Sequence, residues 1–211
     1  SVSAFAADSN VEMPTTPNVT TQDDRDGSAD VTITGNVTDQ NGNMPSTSFK
    51  VTVPTAANFT VTQNGFVGPT LEVKNKGSQE IEVYAQRFTR AAGGSEGIQT
   101  VKESDIEGDS DNSLSRANVS LKLEGQRFEG QAQDSVAYLS VANGGNGVYK
   151  AKTLDQVADA DGVKLLVLGP GNDTEQKGNI VLKGSAGKGE VTKAITDKFQ
   201  LTLKIKKVNK K

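Results

Sequence analysis

The sequence predicts an all-β protein: an antiparallel β-sandwich, jelly-roll or immunoglobulin-like, of about ten strands with an extended N-terminal arm. Three observations carry that reading. Strict apolar–polar alternation recurs along the chain, as in Phe49-Lys50-Val51-Thr52-Val53 and Phe199-Gln200-Leu201-Thr202-Leu203-Lys204-Ile205, and a period of two marks a strand with one buried face. Between such stretches lie Gly-, Asn- and Asp-rich pieces whose residues favour turns. Hydrophobic residues make up only 34% of the chain and aromatics 5%, with no Trp. The core is therefore built mostly of Val, Leu and Ile on many short strands.

Residues 1–30 read as an arm and residues 31–211 as one sandwich domain. In the arm, Pro14, Pro17 and a run of Thr and Asn oppose a helix, and Asp23-Asp24-Arg25-Asp26-Gly27 is a solvated charge cluster. Val31-Thr32-Ile33-Thr34-Gly35-Asn36-Val37 is the first good strand. Strands over 49–53, 59–62, 71–74 and 81–84 follow, and they organise the rest of the chain. Asn64-Gly65 marks a hairpin, because both residues tolerate positive φ. Alternation places Val51, Val53, Phe59, Val61, Leu71, Val73, Ile81 and Val83 on one buried face. Further strands are expected over 119–125, 135–141, 180–184 and 199–205. Residues 154–161 read as one short helix before Gly162. Val163-Lys164-Leu165-Leu166-Val167-Leu168 is nearly continuously apolar, which suits a central strand covered on both faces.

Composition also narrows the chemistry. The chain has no Cys and no His, so it lacks thiolate nucleophiles, disulfides and the commonest general acid–base group and metal ligand. No catalytic residue can be named, and the chain is read as a non-enzyme. A net charge of −3 argues against nucleic acid as the partner. No apolar run approaches the length of a membrane-spanning helix. Ala4-Phe5-Ala6 fits the cleavage rule of a secretory signal, and no Leu-Pro-x-Thr-Gly anchoring motif is seen. A secreted, extracellular or cell-surface protein is the expectation.

No cofactor or metal is expected either. The acidic stretch over 103–111 lacks the ligand spacing of an EF-hand loop and reads as a surface loop. Gly184-Ser185-Ala186-Gly187-Lys188-Gly189 lacks P-loop spacing and reads as a hairpin turn. A Lys–Asn amide crosslink would need an inward Lys, whereas Lys50, Lys122 and Lys204 fall on polar faces.

At Thr32-Ile33-Thr34-Gly35-Asn36, Phe49-Lys50-Val51-Thr52-Val53-Pro54-Thr55 and Leu71-Glu72-Val73-Lys74-Asn75-Lys76-Gly77-Ser78, the chain resembles secreted β-sandwich surface proteins of Gram-positive bacteria, including WxL-like proteins. The Trp-x-Leu motif itself is missing. A looser similarity to camelysin/TasA-type fibre subunits implies assembly by giving a strand to the next subunit. That likeness is architectural.

Together these features predict a structural subunit of an extracellular filament, pilus-like fibre or biofilm matrix. It would form a head-to-tail homo-oligomer by donating an N-terminal strand. The alternative is a monomeric adhesin or ligand-binding domain facing a cell wall or host surface. Charge supports end-to-end contact: residues 8–30 carry six acids and one Arg, and residues 177–211 carry ten Lys and two acids. The expected donor residues are Val2, Phe5, Val11 and Val19 in the arm, with Val31, Ile33 and Val37 in the first strand.

Overall fold

The computed structural model describes residues 27–37, 56–75, 80–127, 133–170 and 176–208. In chain order the elements are β1 (Gly27–Val37), β2 (Ala56–Thr62), β3 (Gly65–Val67), β4 (Thr70–Asn75), β5 (Ile81–Arg90), β6 (Gln99–Thr100), α1 (Glu103–Glu107), β7 (Asn118–Gln126), β8 (Gln133–Leu139), β9 (Val148–Tyr149), β10 (Val163–Leu168), β11 (Gln176–Ala186) and β12 (Ile195–Lys207). The protein is an all-β sandwich. One sheet runs β10-β5-β12-β1-β2-β3, and the other runs β4-β11-β7-β8-β9 with β6 beside β7. Pairing between named strands is antiparallel except for β1 with β2 and β6 with β7.

The core lies between the sheets. The first contributes Val31, Ile33, Phe59, Val61, Val83, Phe88, Phe199 and Leu201, and the second Leu71, Leu121, Leu123, Leu139, Ile180 and Leu182, each at most 3% exposed. Burying one such side chain contributes about 1.5–3 kcal/mol relative to leaving it in water. This interleaved layer, and not the turns, therefore holds the sandwich together.

The organising block folds differently from a simple series of hairpins. β2 and β3 belong to the first sheet, β4 to the second and β5 to the first again. Phe59, Val61, Leu71, Ile81 and Val83 are buried, Val73 is half-buried, and they line two facing inner surfaces. The strand expected over 49–53, with Val51 and Val53, lies outside the described residues. The hairpin loop is Gln63-Asn64, since Thr62 pairs with Gly65. Gly65 opens β3 with φ +127°, a value that favours glycine.

Four other expectations are corrected. Residues 154–161 form no helix. Lys150 N–H donates to Gln156 O at 2.7 Å and Ala158 N–H to Val148 O at 2.9 Å, and Leu154 has φ +58°. These contacts fold the stretch back beside β9. The helix is instead α1, in the acidic stretch read as a loop, with Glu103 and Asp105 in its first turn, where negative charge suits the helix dipole. β10 is an edge strand, not a central one. A register shift between Lys164 and Leu166 turns both Leu165 and Leu166 inward, and the strand packs against β8 and β7 of the facing sheet. A bulge, not coverage on both faces, explains the continuous apolar run. β1 also begins at Gly27, inside the span read as arm.

A surface ion cluster ties the turn before β10 to β12. The Nζ atoms of Lys204 and Lys206 each lie 2.6 Å from Asp161. Their hydrogen bonds hold the Asp161 carboxyl at about 2, well below the usual carboxylate range. A depressed carboxylate stabilises the fold above its unfolded value near ~4, and that contribution disappears as the pH falls through about 2. The Tm gap between the natural chain and Asp161→Asn is expected to be constant and small above that range. It should close on acidification, as a pH series of thermal melts would show.

Candidate assembly site around the N-terminal strand

β1 lies in the interior of its sheet. It pairs antiparallel with β12 over its whole length, Gly27 opposite Ile205 and Val37 opposite Ile195. On its other side, residues 32–37 run parallel to residues 56–61 of β2. Both edges of β1 are thus satisfied by its own chain over that stretch. Val31 and Ile33 are fully buried, with Val31 opposite Leu201 and Ile33 opposite Phe199 and Ala57. The Val37 backbone pairs with Ile195 and Val61. Val2, Phe5, Val11 and Val19 lie outside the described residues.

A row of stacked aromatic rings forms the floor beneath β1. Phe66 stacks on Phe59 at 5.1 Å, Phe59 on Phe199 at 6.4 Å, and Phe199 on Phe88 at 5.3 Å between centroids. Phe59 is on β2 and Phe199 on β12, two strand spacings or about 9.6 Å apart, so the rings meet under β1. They can do so because β1 carries Gly35 there. A Cβ at Gly35 would sit 2.2 Å from Phe59 Cζ and 2.8 Å from Ile98 Cδ1. Val31, Ile33 and Gly35 therefore match the groove between β12 and β2 in size as well as in hydropathy.

A buried charge closes the groove at the Val37 end. Asp197 on β12 is fully buried and stands opposite Gly35. Its carboxylate accepts hydrogen bonds from the Arg90 guanidinium, Ile98 N–H at 3.1 Å, Glu96 N–H at 3.3 Å and Lys198 N–H at 2.8 Å. Arg90 also donates to Ile98 O at 3.1 Å and lies 5.3 Å from the centroid of the Phe199 ring. The pair pins residues 94–98 over the sandwich end. Its several hydrogen bonds supply what a buried ion pair needs to offset its desolvation.

Sequence reasoning missed Asp197 and Arg90, although a signal existed. Extending the alternation of β12 back from Phe199 by one period puts Asp197 on the inward face, and Arg90 continues the inward series of β5 after Phe88. An acid and a base in inward positions of two paired strands point to a buried ion pair.

Other candidates look structural. In the acidic loop, Asp109 accepts from Ser113 N–H at 3.0 Å, Ser113 Oγ at 2.7 Å and Leu114 N–H at 2.8 Å, so its oxygens cap the loop itself. No group of three or more acidic or His side chains with metal-binding geometry occurs among the described residues. No buried Lys occurs among them to form an amide crosslink. No helix among them is long and apolar enough to cross a membrane. No protein-family model and no curated protein matches the chain.

Proposed function

We propose that the protein is a structural subunit of an extracellular filament or matrix, assembling head to tail by placing β1 of one copy in the groove of the next. The observation that supports this best is the position of β1. It is an N-terminal strand lying between β12 and β2, so withdrawing it would leave a slot with two open edges and an aromatic floor. Unpaired N–H and C=O groups along such edges are satisfied in a row by an incoming strand. A second copy supplies the same residues in the same register. The contact is heterologous and does not close on itself, so it propagates as a fibre.

A specific observation also favours a monomeric surface-binding domain. In the single chain the slot is already filled by its own β1, paired on both sides. The two readings differ in whether β1 occupies the groove of its own chain or that of a neighbour. Negative-stain electron microscopy and sedimentation velocity of the purified chain at increasing concentration separate them. Filaments, or a mass distribution that grows with concentration, support the subunit reading. A single monomeric species at millimolar concentration rejects it and leaves the monomeric domain.

A further inference from the structure

We infer that Asn143-Gly144, in the loop between β8 and β9, is a site of spontaneous covalent modification. The Asn143 carboxamide cyclises onto the Gly144 nitrogen and then opens to isoaspartate or aspartate. This chemistry requires no second copy of the chain. The sequence has four Asn-Gly steps, and three of them, Asn64-Gly65, Asn143-Gly144 and Asn146-Gly147, lie among the described residues. In an unfolded chain these steps are alike, because Gly leaves the attacking nitrogen unshielded by a side chain. The fold makes them unlike.

The only co-reactant is water. The Gly backbone nitrogen, losing its proton, attacks the Asn side-chain carbonyl carbon. A new C–N bond closes a five-membered succinimide. The bond from that carbon to Nδ2 breaks, and Nδ2 takes up the proton and leaves as ammonia. Water then opens the ring at one of its two carbonyls. Opening at the side-chain carbonyl gives aspartate; opening at the main-chain carbonyl gives isoaspartate, with the backbone rerouted through the side chain. Either product carries a negative charge that the amide lacked. The step needs a carboxamide free to turn and a backbone nitrogen free to receive it, since reaction follows only from a near-attack geometry.

Asn143-Gly144 meets these conditions. Asn143, Gly144 and Gly145 are exposed. Neither the Asn143 carboxamide nor the Gly144 N–H takes part in a hydrogen bond among the described residues. Gly144 and Gly145 have φ +70° and +69°, and a Cβ at either would meet no atom within 4 Å. Two glycines in open space give this loop the backbone freedom that ring closure demands. Asn146-Gly147 fails on each count. Asn146 Nδ2 donates to Ala158 O at 3.2 Å, and its Oδ1 accepts from Val148 N–H at 3.0 Å. Gly147 is buried, and a Cβ there would sit 1.9 Å from Phe88 O. Asn64-Gly65 stands between the two. Asn64 is exposed, but Gly65 pairs with Thr62 across the β2–β3 hairpin. Asn64 N–H also donates to Thr62 Oγ1 at 3.0 Å, so the turn holds its backbone away from ring closure.

The test ages the folded full chain at neutral and mildly alkaline pH and digests aliquots with trypsin. Cleavage after Arg127 and Lys150 gives a peptide of residues 128–150 with both Asn143 and Asn146. Cleavage after Lys50 and Lys74 gives a peptide of residues 51–74 with Asn64. Tandem mass spectrometry locates the amide-to-acid mass increase, and enzymatic methylation of isoaspartate reports the rerouted backbone. Asn143 is expected to convert at least about tenfold faster than Asn146 or Asn64, since only there can the reacting atoms meet. Conversion should quicken as the pH rises, because the attacking nitrogen must lose its proton. In concentrated guanidinium chloride the three rates should converge. Asn143→Gln must close a larger ring, so its 128–150 peptide should stay almost unmodified, with the Tm of the chain unchanged. Equal rates at Asn143 and Asn146 in the folded chain would overturn the inference. So would a folded chain in which Asn143 is no more reactive than Asn64, or stays unmodified while the denatured chain converts.

Discussion

Replacing Asp197 with alanine is expected to lower stability by about 3–5 kcal/mol, the usual result of leaving one member of a buried ion pair behind. Four donors lose their acceptor at once: the Arg90 guanidinium and the backbone N–H groups of Glu96, Ile98 and Lys198. Two of them, Glu96 and Ile98, hold the chain between β5 and β6 against β12, so that end of the sandwich should loosen first. For a chain of this size, such a loss corresponds to a fall in Tm of roughly 6–20 °C. Chemical denaturation of Asp197→Ala, Arg90→Met and the double variant measures the pair. The double variant should lose much less than the sum of the singles, because neither charge is then stranded. A cost below 1 kcal/mol for Asp197→Ala would show that the pair is not buried as described.

Removing residues 1–37 should have a still larger effect. Without β1, strands β12 and β2 each lose a partner and the rings of Phe59 and Phe199 lose their cover. Full burial of Val31 and Ile33 alone contributes about 3–6 kcal/mol, a large share of the 5–15 kcal/mol that holds a domain folded. The truncated chain should be unfolded or aggregated when purified. A peptide of residues 27–37 added in excess should restore a cooperative melt, and the same peptide with Gly35→Val should not. The second outcome follows because any Cβ at Gly35 falls 2.2 Å from Phe59 Cζ. Circular dichroism with and without peptide reads both results. A truncated chain that melts cooperatively without peptide would mean that β1 is an accessory strand.

Much of this architecture was legible in alternation. Val31 and Ile33, Phe59 and Val61, Val119 to Leu123, and Phe199 to Ile205 all face inward as period two requires. Which sheet each strand joins was not legible, because alternation fixes a buried face and not a neighbour. Thus β4 reads like β2 yet pairs with β11, and β1 gained a parallel partner that nothing local encodes. Leu165 and Leu166 misled because a bulge and a two-sided strand give the same apolar run. In the candidate site, Val31 and Ile33 could be named from pattern alone, whereas Asp197 and Arg90 become an ion pair only once β5 and β12 are known to be neighbours.

β1 occupies either its own groove or a neighbour's, and a disulfide distinguishes the two directly. The chain has no Cys, so an introduced pair reports on one contact. Thr32 stands opposite Gln200 across β1 and β12, and opposed residues of antiparallel strands lie about 4.5–5.5 Å apart at Cα, within disulfide range. One preparation carries only Thr32→Cys, another only Gln200→Cys. They are mixed under assembly conditions, oxidised, and run on a non-reducing denaturing gel. Strand exchange predicts a covalent dimer of the two variants, and a ladder of higher multiples when both substitutions are placed in one chain. A double variant that crosslinks only within the monomer, with no dimer from the mixture, would contradict it.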